Sequence, residues 1–164
     1  MRQFTKLYMV FILLLIILGI AGFFIAGEPD QKQLEEEALN KAPGYETMTT
    51  VSEIVSKQQQ DNALLDIIVT PKDENEEVLI QLHGHEQSLE KDLLLDSYHL
   101  LIELSAIKPI NSLTISWFML INNENVEALT MTFDRTALNT IDSHTFEELP
   151  TVASKYQKHE ALNP

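Results

Sequence analysis

Residues 113–121 read LTISWFMLI, a run in which every second side chain from Leu113 to Ile121 is large and apolar. This alternation is typical of a β-strand that places one face in a core. Phe118 and Leu120 add apolar side chains to the opposite face. Because a strand that is apolar on most of both faces belongs in the middle of a sheet, the run predicts a central strand.

The residues after this run predict its pairing partner. Residues 122–125 (NNEN) are a polar turn, and residues 126–133 return as a second strand. Leu129, Met131 and Phe133 lie on one side of the returning strand. The two strands and their short turn predict an antiparallel β-hairpin.

A strongly apolar helix is predicted before the central strand, at residues 89–107. Ser88 fits its N-cap, and Pro109 ends it. Leucine and isoleucine side chains cover most directions around its axis and leave one narrow polar strip. A helix this apolar must be largely buried, and it is too short and too interrupted by charge to be a second membrane span.

Three further strands are predicted ahead of this helix, at residues 47–55, 64–69 and 78–83. A turn dense in charge separates the second from the third. Residues 47–55 are rich in β-branched side chains, which favours a strand, although Val51 and Val55 would also fit a helical face. We interpret this segment as a strand.

The C-terminal residues carry a helix signal. Thr145 and Glu148 form a capping-box pattern that predicts a short polar helix continuing to Ala161 despite Pro150. The resulting order after the first apolar segment is α-β-β-β-α-β-β-α, which indicates the α+β class. We expect a two-layer domain with an antiparallel sheet of about five strands packed on one long helix.

Residues 7–27 contain no charged side chain. At about 1.5 Å per residue, a helix of this length spans the hydrocarbon core of a bilayer, which is roughly 30 Å thick. We interpret it as an N-terminal transmembrane helix and signal anchor. Arg2 and Lys6 precede it and Glu28 and Asp30 follow it, so the N-terminus is expected in the cytoplasm and the rest of the chain outside.

A cleaved secretory signal is the alternative interpretation. Residues 7–18 followed by the small Gly19 and Ala21 fit the signal pattern. Cleavage there would leave an apolar new end, and bulky Phe24 disfavours processing after Ala26. The length of the apolar run favours a retained anchor, and both interpretations place the following domain outside the cytoplasm.

The chain therefore divides into a cytoplasmic N-terminus (1–6), the anchor (7–27), a polar helical spacer (28–44), an α+β extracytoplasmic domain (45–142) and a polar C-terminal helix or tail (143–164). The net charge of -14 is unevenly distributed. Arg2 and Lys6 are the only charged side chains in residues 1–27, and all the acidic side chains follow them. The exported part is therefore strongly acidic.

Two small residues in the anchor suggest a way for two copies to associate. Gly22 and Ala26 are four residues apart on one helix face, a spacing that allows close packing of two transmembrane helices into a homodimer. Small residues also occur at a helix end by chance, which is the alternative explanation.

Composition excludes several classes of function. An acidic domain without a basic stripe repels nucleic acid. The chain has no cysteine, which excludes disulfides, cysteine-based zinc sites, thiol catalysis and cysteine-linked lipids. The sequence also lacks the GxSxG, SxxK and HExxH motifs, and five glycines are too few for a phosphate-binding loop. We therefore expect no enzyme activity and no cofactor.

Two groups of residues could bind a metal ion. His83, His85 and Glu86 follow the third predicted strand, and side chains two apart on an extended chain point the same way. Asp96, His99 and Glu103 lie along the polar strip of the helix at ligand-like spacing. A solvated loop and a water-facing helix edge are the alternatives, and the sequence does not establish whether the two groups meet.

Residues 112–133, with the leucine-rich helix before them, resemble small exported domains of uncharacterised lipoproteins and membrane-anchored proteins from low-GC Gram-positive bacteria. The resemblance covers roughly the middle half of the chain. Many such proteins carry a lipobox cysteine, which this sequence lacks. The resemblance therefore implies an envelope location with the anchor helix as the membrane attachment, and it implies no activity.

Together these features predict a non-enzymatic, single-pass membrane protein of the cell envelope. Its acidic domain is expected to serve as an accessory, sensory or protein-interaction module that binds an envelope or membrane protein. The alternative is an extracytoplasmic module that binds a small ligand or a divalent cation, with His83, His85 and Glu86 as candidate ligands.

Overall fold

The computed structural model describes residues 42–59 and 63–162. The longer elements are α1 (Tyr45–Gln58), β1 (Leu64–Lys72), β2 (Asn75–His83), α2 (Glu90–Leu104), β3 (Ile110–Ile121) and β4 (Glu124–Asp134). Two four-residue helices, α3 (Arg135–Leu138) and α4 (Leu149–Val152), and a short strand β5 (Lys155–Lys158) complete the fold, with 3-10 turns at Ile141–Ser143, Phe146–Glu148 and Glu160–Leu162. The predicted α+β class is confirmed.

The predicted anchor at residues 7–27, with its Gly22 and Ala26 pair, lies outside the described residues, as does most of the spacer at 28–44. Among the residues that are described, no helix is both long enough and apolar enough to cross a membrane.

The five strands form one sheet in the order β1-β2-β3-β4-β5. β3 is the central strand, as the sequence predicts. Its hairpin with β4 is confirmed, with Ile115 opposite Met131. The prediction of a wholly antiparallel sheet is wrong, because β2 and β3 are parallel. Parallel neighbours cannot be joined by a tight turn, and here α2 carries the chain back to the end of the sheet where β2 began.

The predicted strand at residues 47–55 is wrong, since these residues belong to α1. Thr47, Val51 and Val55 are spaced by four and form the buried stripe of the helix. Packing of this stripe against the core overrides the weak strand preference of β-branched side chains. The hydroxyl of Thr49 donates to the carbonyl of Tyr45 at 2.9 Å, so the hydrogen-bonding group of this β-branched residue has a partner within the helix.

The predicted C-terminal helix is also wrong. The capping box of Thr145 and Glu148 forms, but the helix that follows, α4, ends at Val152, and the chain then extends as β5 beside β4. Tyr156 alternates with exposed neighbours and packs against the core. The α+β fold therefore continues to Leu162, which is 8% exposed, and does not end at residue 142.

One face of the sheet carries the core. Ile80, Ile115 and Met131 are aligned across three strands in the register and are fully buried. α2 covers this face with a set of buried leucines, Leu93, Leu94, Leu100, Leu101 and Leu104. The expected burial of the apolar helix is therefore confirmed. Burial of each such side chain stabilises the fold by about 1.5–3 kcal/mol.

Hydroxyl side chains occupy the centre of the opposite face. Thr114 and Thr132 are 3.0 Å apart, and Ser116 and Thr130 are 3.1 Å apart, each pair bridging β3 and β4. Ile68 on β1 remains 44% exposed. Ser116 and Thr130 are buried, at 2% and 7% exposed, and the cross-strand hydroxyl pairs satisfy these polar groups and stabilise the sheet. The described residues form two layers.

The free edge of β1 does not favour the addition of another strand. Pro71 pairs with Glu76. The N–H of Glu76 points away from β1 and donates to the carbonyl of Pro109, just before β3. The backbone nitrogen of Pro71 therefore faces the open edge, where proline has no N–H to offer. The N–H of Ile67, four residues earlier on the strand, faces the same edge and donates to the carboxylate of Asp66 at 2.9 Å. Both features protect an edge from pairing.

A carboxylate ties β5 to the start of α2. Glu90 accepts hydrogen bonds from the hydroxyl of Tyr156 and, at 2.6 Å, from Nζ of Lys158. Burial raises the pKa of Glu90, but the hydrogen bonds from Lys158 and Tyr156 outweigh it, so the net shift is downward. Burial, together with the Glu90 carboxylate, raises the pKa of Tyr156. These bonds hold the short edge strand in place.

Arg135 closes the other end of α2. Its guanidinium donates to the carbonyls of Ser105 at 2.7 Å, Ile107 at 3.1 Å and Ile110 at 2.9 Å. Its Nε donates to Asn139 Oδ1 at 2.9 Å. The carbonyls at a helix C-terminus lack partners within the helix and favour a positive charge. One side chain of α3 therefore fixes the loop that joins α2 to β3.

We expect Arg135→Lys to destabilise the domain by ~1–3 kcal/mol, because an ammonium keeps the charge but cannot reach three carbonyls in the planar arrangement of a guanidinium. Urea unfolding of the full chain in a mild detergent, followed by the fluorescence of Trp117, measures this loss. Lys108→Ala, on the exposed side of the same loop, is the control and should change stability little. Equal stability of Arg135→Lys and the natural chain would contradict this role.

Candidate functional site

A cavity of about 570 Å³ lies at the carboxyl end of β2. The end of α1 contributes Gln58, the loop after β2 contributes His85, and α2 contributes Asp96. This volume falls in the range of small-ligand sites, about 300–1,000 Å³. Loops that follow parallel strands are a common place for such sites, and here the loop is the one that leads from β2 into α2.

A second cavity of about 390 Å³ shares Gln58, Gln59 and Asp96 with the first and adds His99 and Glu103. The two groups of residues singled out from the sequence therefore meet. His83, His85 and Glu86 line the first cavity, the strip of α2 lines the second, and Asp96 lines both.

The structure does not assemble His83, His85 and Glu86 as metal ligands. β2 ends at His83, so the alternation of side chains expected from an extended chain stops before His85. Within residues 42–59 and 63–162, no three His, Asp or Glu side chains are grouped so that they could hold one metal ion. The strip of Asp96, His99 and Glu103 is included in that result.

Hydrogen bonds assign different roles to the two histidines. His83 Nδ1 lies 2.8 Å from the carbonyl oxygen of Gly84, which can only accept, so Nδ1 carries the proton and Nε2 is an acceptor in the neutral ring. His85 Nδ1 accepts from the N–H of Gln87 at 3.3 Å, so its Nε2 carries the proton. Both side chains are exposed at the rim of the cavity.

Trp117 forms part of the floor of the first cavity. It is 2% exposed, which confirms the prediction that it belongs to the core. Its Nε1–H donates to the hydroxyl of Ser97 at 2.8 Å, and Ser97 is fully buried. This bond joins α2 to β3, holds the indole ring in one orientation and leaves the ring without a free donor.

Gln58 is not identified from the sequence, because it begins the polar run of residues 58–62 (QQQDN), which is typical of a connection between elements. In the structure it ends α1, and its Nε2 donates to Glu103 Oε1 at 2.6 Å. Its Oε1 is buried and has no hydrogen-bond partner among the described residues. A buried acceptor without a partner is costly, and both cavities are lined by this residue.

Asp96 is half-buried and accepts no hydrogen bond from the described residues. Burial raises its pKa, the nearby Asp92 adds to the increase, and His99 opposes it. Because the pKa is raised in the folded protein, the stabilising contribution of the group is present at low pH and is lost as the pH rises through the raised value. The ionised carboxylate therefore costs stability at neutral pH.

The described residues that line the two cavities include no lysine and no arginine. The lining combines carboxylates, amides and imidazoles above an apolar floor. This arrangement suits non-covalent binding by hydrogen bonds and charge.

Comparison of the chain with protein-family models, with curated protein sequences and with solved structures finds no match.

We expect Ser97→Ala to lower the free energy of unfolding by ~1–3 kcal/mol, because it leaves the indole N–H of Trp117 buried without an acceptor. The measurement is urea unfolding of the full chain in detergent, with Trp117 as the only tryptophan. Ser105→Ala is the matched control, since that hydroxyl donates only to the backbone of its own helix. A loss no larger than in the control would argue against the proposed contribution of this bond.

We expect Asp96→Asn to raise the midpoint of thermal unfolding near pH 7, because the amide removes a half-buried charge that folding disfavours. The gain should disappear at about pH 3, where the natural carboxyl is itself protonated. Thermal scans of both proteins over this pH range test the prediction, with Asp142→Asn as the control for net charge at an exposed site. A lower midpoint for Asp96→Asn at neutral pH would show that the carboxylate stabilises the fold.

Proposed function

We propose that this protein is a single-pass membrane protein, with its N-terminus in the cytoplasm and its acidic α+β domain outside. The domain acts as an accessory, sensory or interaction module of the cell envelope and binds another envelope or membrane protein. It is not an enzyme, and nucleic acid is not its partner.

The location rests on the sequence. Residues 7–27 are long and apolar enough to span a bilayer and follow two basic side chains. The resemblance of the middle of the chain to exported domains of Gram-positive envelope proteins agrees with this location. Gly22 and Ala26 supply a face through which two anchors could also form a homodimer.

The cavity at the carboxyl end of β2 is the observation that carries the proposal of binding. It is lined by Asp96, a half-buried carboxylate whose ionised form costs stability. Binding sites commonly retain such groups at the expense of stability. The protected edge of β1 disfavours strand addition by a partner at that edge.

The absence of cysteine from the chain permits a direct test with two single-cysteine variants. His85→Cys places a thiol at the rim of the cavity, and Glu74→Cys places one in the exposed turn at the other end of β2. A membrane-impermeant maleimide should label both variants on intact cells. A maleimide-linked benzophenone is then attached to each cysteine and irradiated. We expect one recurring partner to be crosslinked to position 85 and not to position 74. Purification of that partner through a tag should in turn recover this chain.

Labelling that requires lysis of the cells would overturn the proposed location. Identical capture from both positions, or recovery of the chain alone, would overturn binding of a second protein at the cavity. Recovery of the chain crosslinked to itself would instead favour self-association.

A small-ligand module is the second candidate, favoured by the size of the cavity and by its polar lining. A divalent cation is less well supported, because the described His, Asp and Glu side chains do not form a group of three ligands.

A further inference from the structure

The face of the sheet opposite α1 and α2 carries four apolar side chains. On β3, Phe118 and Leu120 point away from the buried side chains that alternate with them. On β1 and β2, Ile68 and Leu79 do the same. Leu79 and Phe118 are half-buried but do not belong to the hydrophobic core. Ile68 and Leu120 are 44% and 38% exposed, so this apolar surface faces solvent.

The four side chains form two pairs, one at each end of the face. Ile68 and Leu79 are directly opposite each other on β1 and β2, and we call them the first apolar pair. Phe118 and Leu120 are neighbours along β3, and we call them the second apolar pair. Leu79 lies beside Thr114 of β3, so Phe118 is four residues further along, about 13 Å away.

The surface between the two apolar pairs is neutral. Gln81 of β2 and Ser116 of β3 lie side by side midway between the pairs. The outward side chains in the middle of β2, β3 and β4 carry no charge: Leu79, Gln81, Thr114, Ser116, Thr130 and Thr132. The hydroxyls among them already bond one another across β3 and β4, so covering them costs little.

The charges at the margin of this face largely have partners. Asp66 accepts the N–H of Ile67, and Glu77 pairs with Lys72 at 2.7 Å. Glu127 and Lys155, on β4 and β5, are of opposite sign. On a chain of net charge -14, this face is therefore a surface that a second, equally acidic copy can approach without strong repulsion.

The placement of the apolar pairs also suits a second copy. In a symmetric dimer the same surface of both chains forms the contact, so the surface must be complementary to itself. A two-fold axis through the midpoint at Gln81 and Ser116 places the first apolar pair of each copy on the second apolar pair of the other. Apolar side chains then meet at both ends, and hydroxyl and amide groups meet in the middle.

We propose that this face of the sheet is a homodimer interface, in which the first apolar pair of one copy packs on the second apolar pair of the other. The interface goes beyond the proposed function and uses a different surface from the cavity at the carboxyl end of β2. It is also separate from any contact between anchors.

The size of the face sets the strength of this contact. Five strands about 4.8 Å apart, over about 20 Å of shared length, give a flat area on the order of 500 Å² per copy. A stable interface buries about 800 Å² per partner, so free copies associate weakly. Two copies anchored in one membrane, as the proposed function has it, have a raised effective concentration that favours the dimer.

Crosslinking of the full chain in cells tests the interface. Gln81→Cys places a thiol beside the two-fold axis, where it lies close to the same thiol of the other copy. Ser56→Cys, on the exposed side of α1, is the matched control on the helical layer. A short, membrane-permeant bismaleimide added to intact cells should give a crosslinked dimer from position 81 and little from position 56.

Two charged variants test which side chains meet. With Gln81→Cys present, Ile68→Lys or Leu120→Asp alone should lower the yield of crosslinked dimer about tenfold, because the contact would bury an unpaired charge. Both positions are exposed, so the domain should fold. Chains carrying the two changes, produced together with different tags, should form mixed dimers, because the introduced lysine meets the introduced aspartate. Leu89→Asp, at a 66% exposed residue before α2, should leave the yield unchanged.

Equal yields from positions 81 and 56 would indicate association through another part of the chain and would overturn the proposal. Capture of a different protein from position 81, the absence of any dimer there, or mixed dimers no more abundant than those of either variant alone would also overturn it. The permeant reagent acts on both sides of the membrane, so these outcomes do not depend on the proposed location. Labelling by the impermeant maleimide and capture from position 85 test the proposed function separately.

Discussion

Parallel pairing of β2 with β3 is the constraint on which the rest of the structure depends. Two parallel neighbours require the chain to return across the sheet, and α2 makes this crossing. The crossing explains why α2 is apolar around much of its surface, because it packs against the sheet and also contacts α1, which itself contacts β1. It also produces the loop of residues 84–89 at the carboxyl end of β2, which is where the cavity forms.

Both ends of α2 are fixed by residues distant in sequence. Glu90 at its start is held by Tyr156 and Lys158 of β5. At its other end, Arg135 of α3 donates to the carbonyls of Ser105, Ile107 and Ile110, which follow the helix. The bond from Trp117 to Ser97 fixes its middle. These three sets of bonds hold α2 in place beside the cavity. Among the described residues, Gln58 Oε1 and Glu76 Oε2 are buried without a hydrogen-bond partner, and the half-buried Asp96 accepts no hydrogen bond.

The elements with strong local signals could be predicted from the sequence. The hairpin of β3 and β4 follows from alternating side chains around a polar turn. α2 follows from its apolar surface and from Pro109 beyond its end, although its N-cap is Leu89 and not the predicted Ser88. The strand prediction for residues 47–55 is wrong, since Val51 and Val55 fit both a strand and a helix, and packing against the core decides between them. Residues 155–158 form a strand only because the edge of β4 is there to pair with.

The sequence by itself determined the class of the domain, its acidic charge and the central position of β3, because these depend on composition and on patterns within single elements. It also singled out His83, His85, Glu86 and Asp96. Tertiary structure alone decided that Asp96 joins the two groups, that Gln58 completes the lining and that Trp117 is the floor. The physical reason is that contacts between α1, α2 and β3 depend on the direction in which β3 pairs with β2, which no local pattern specifies.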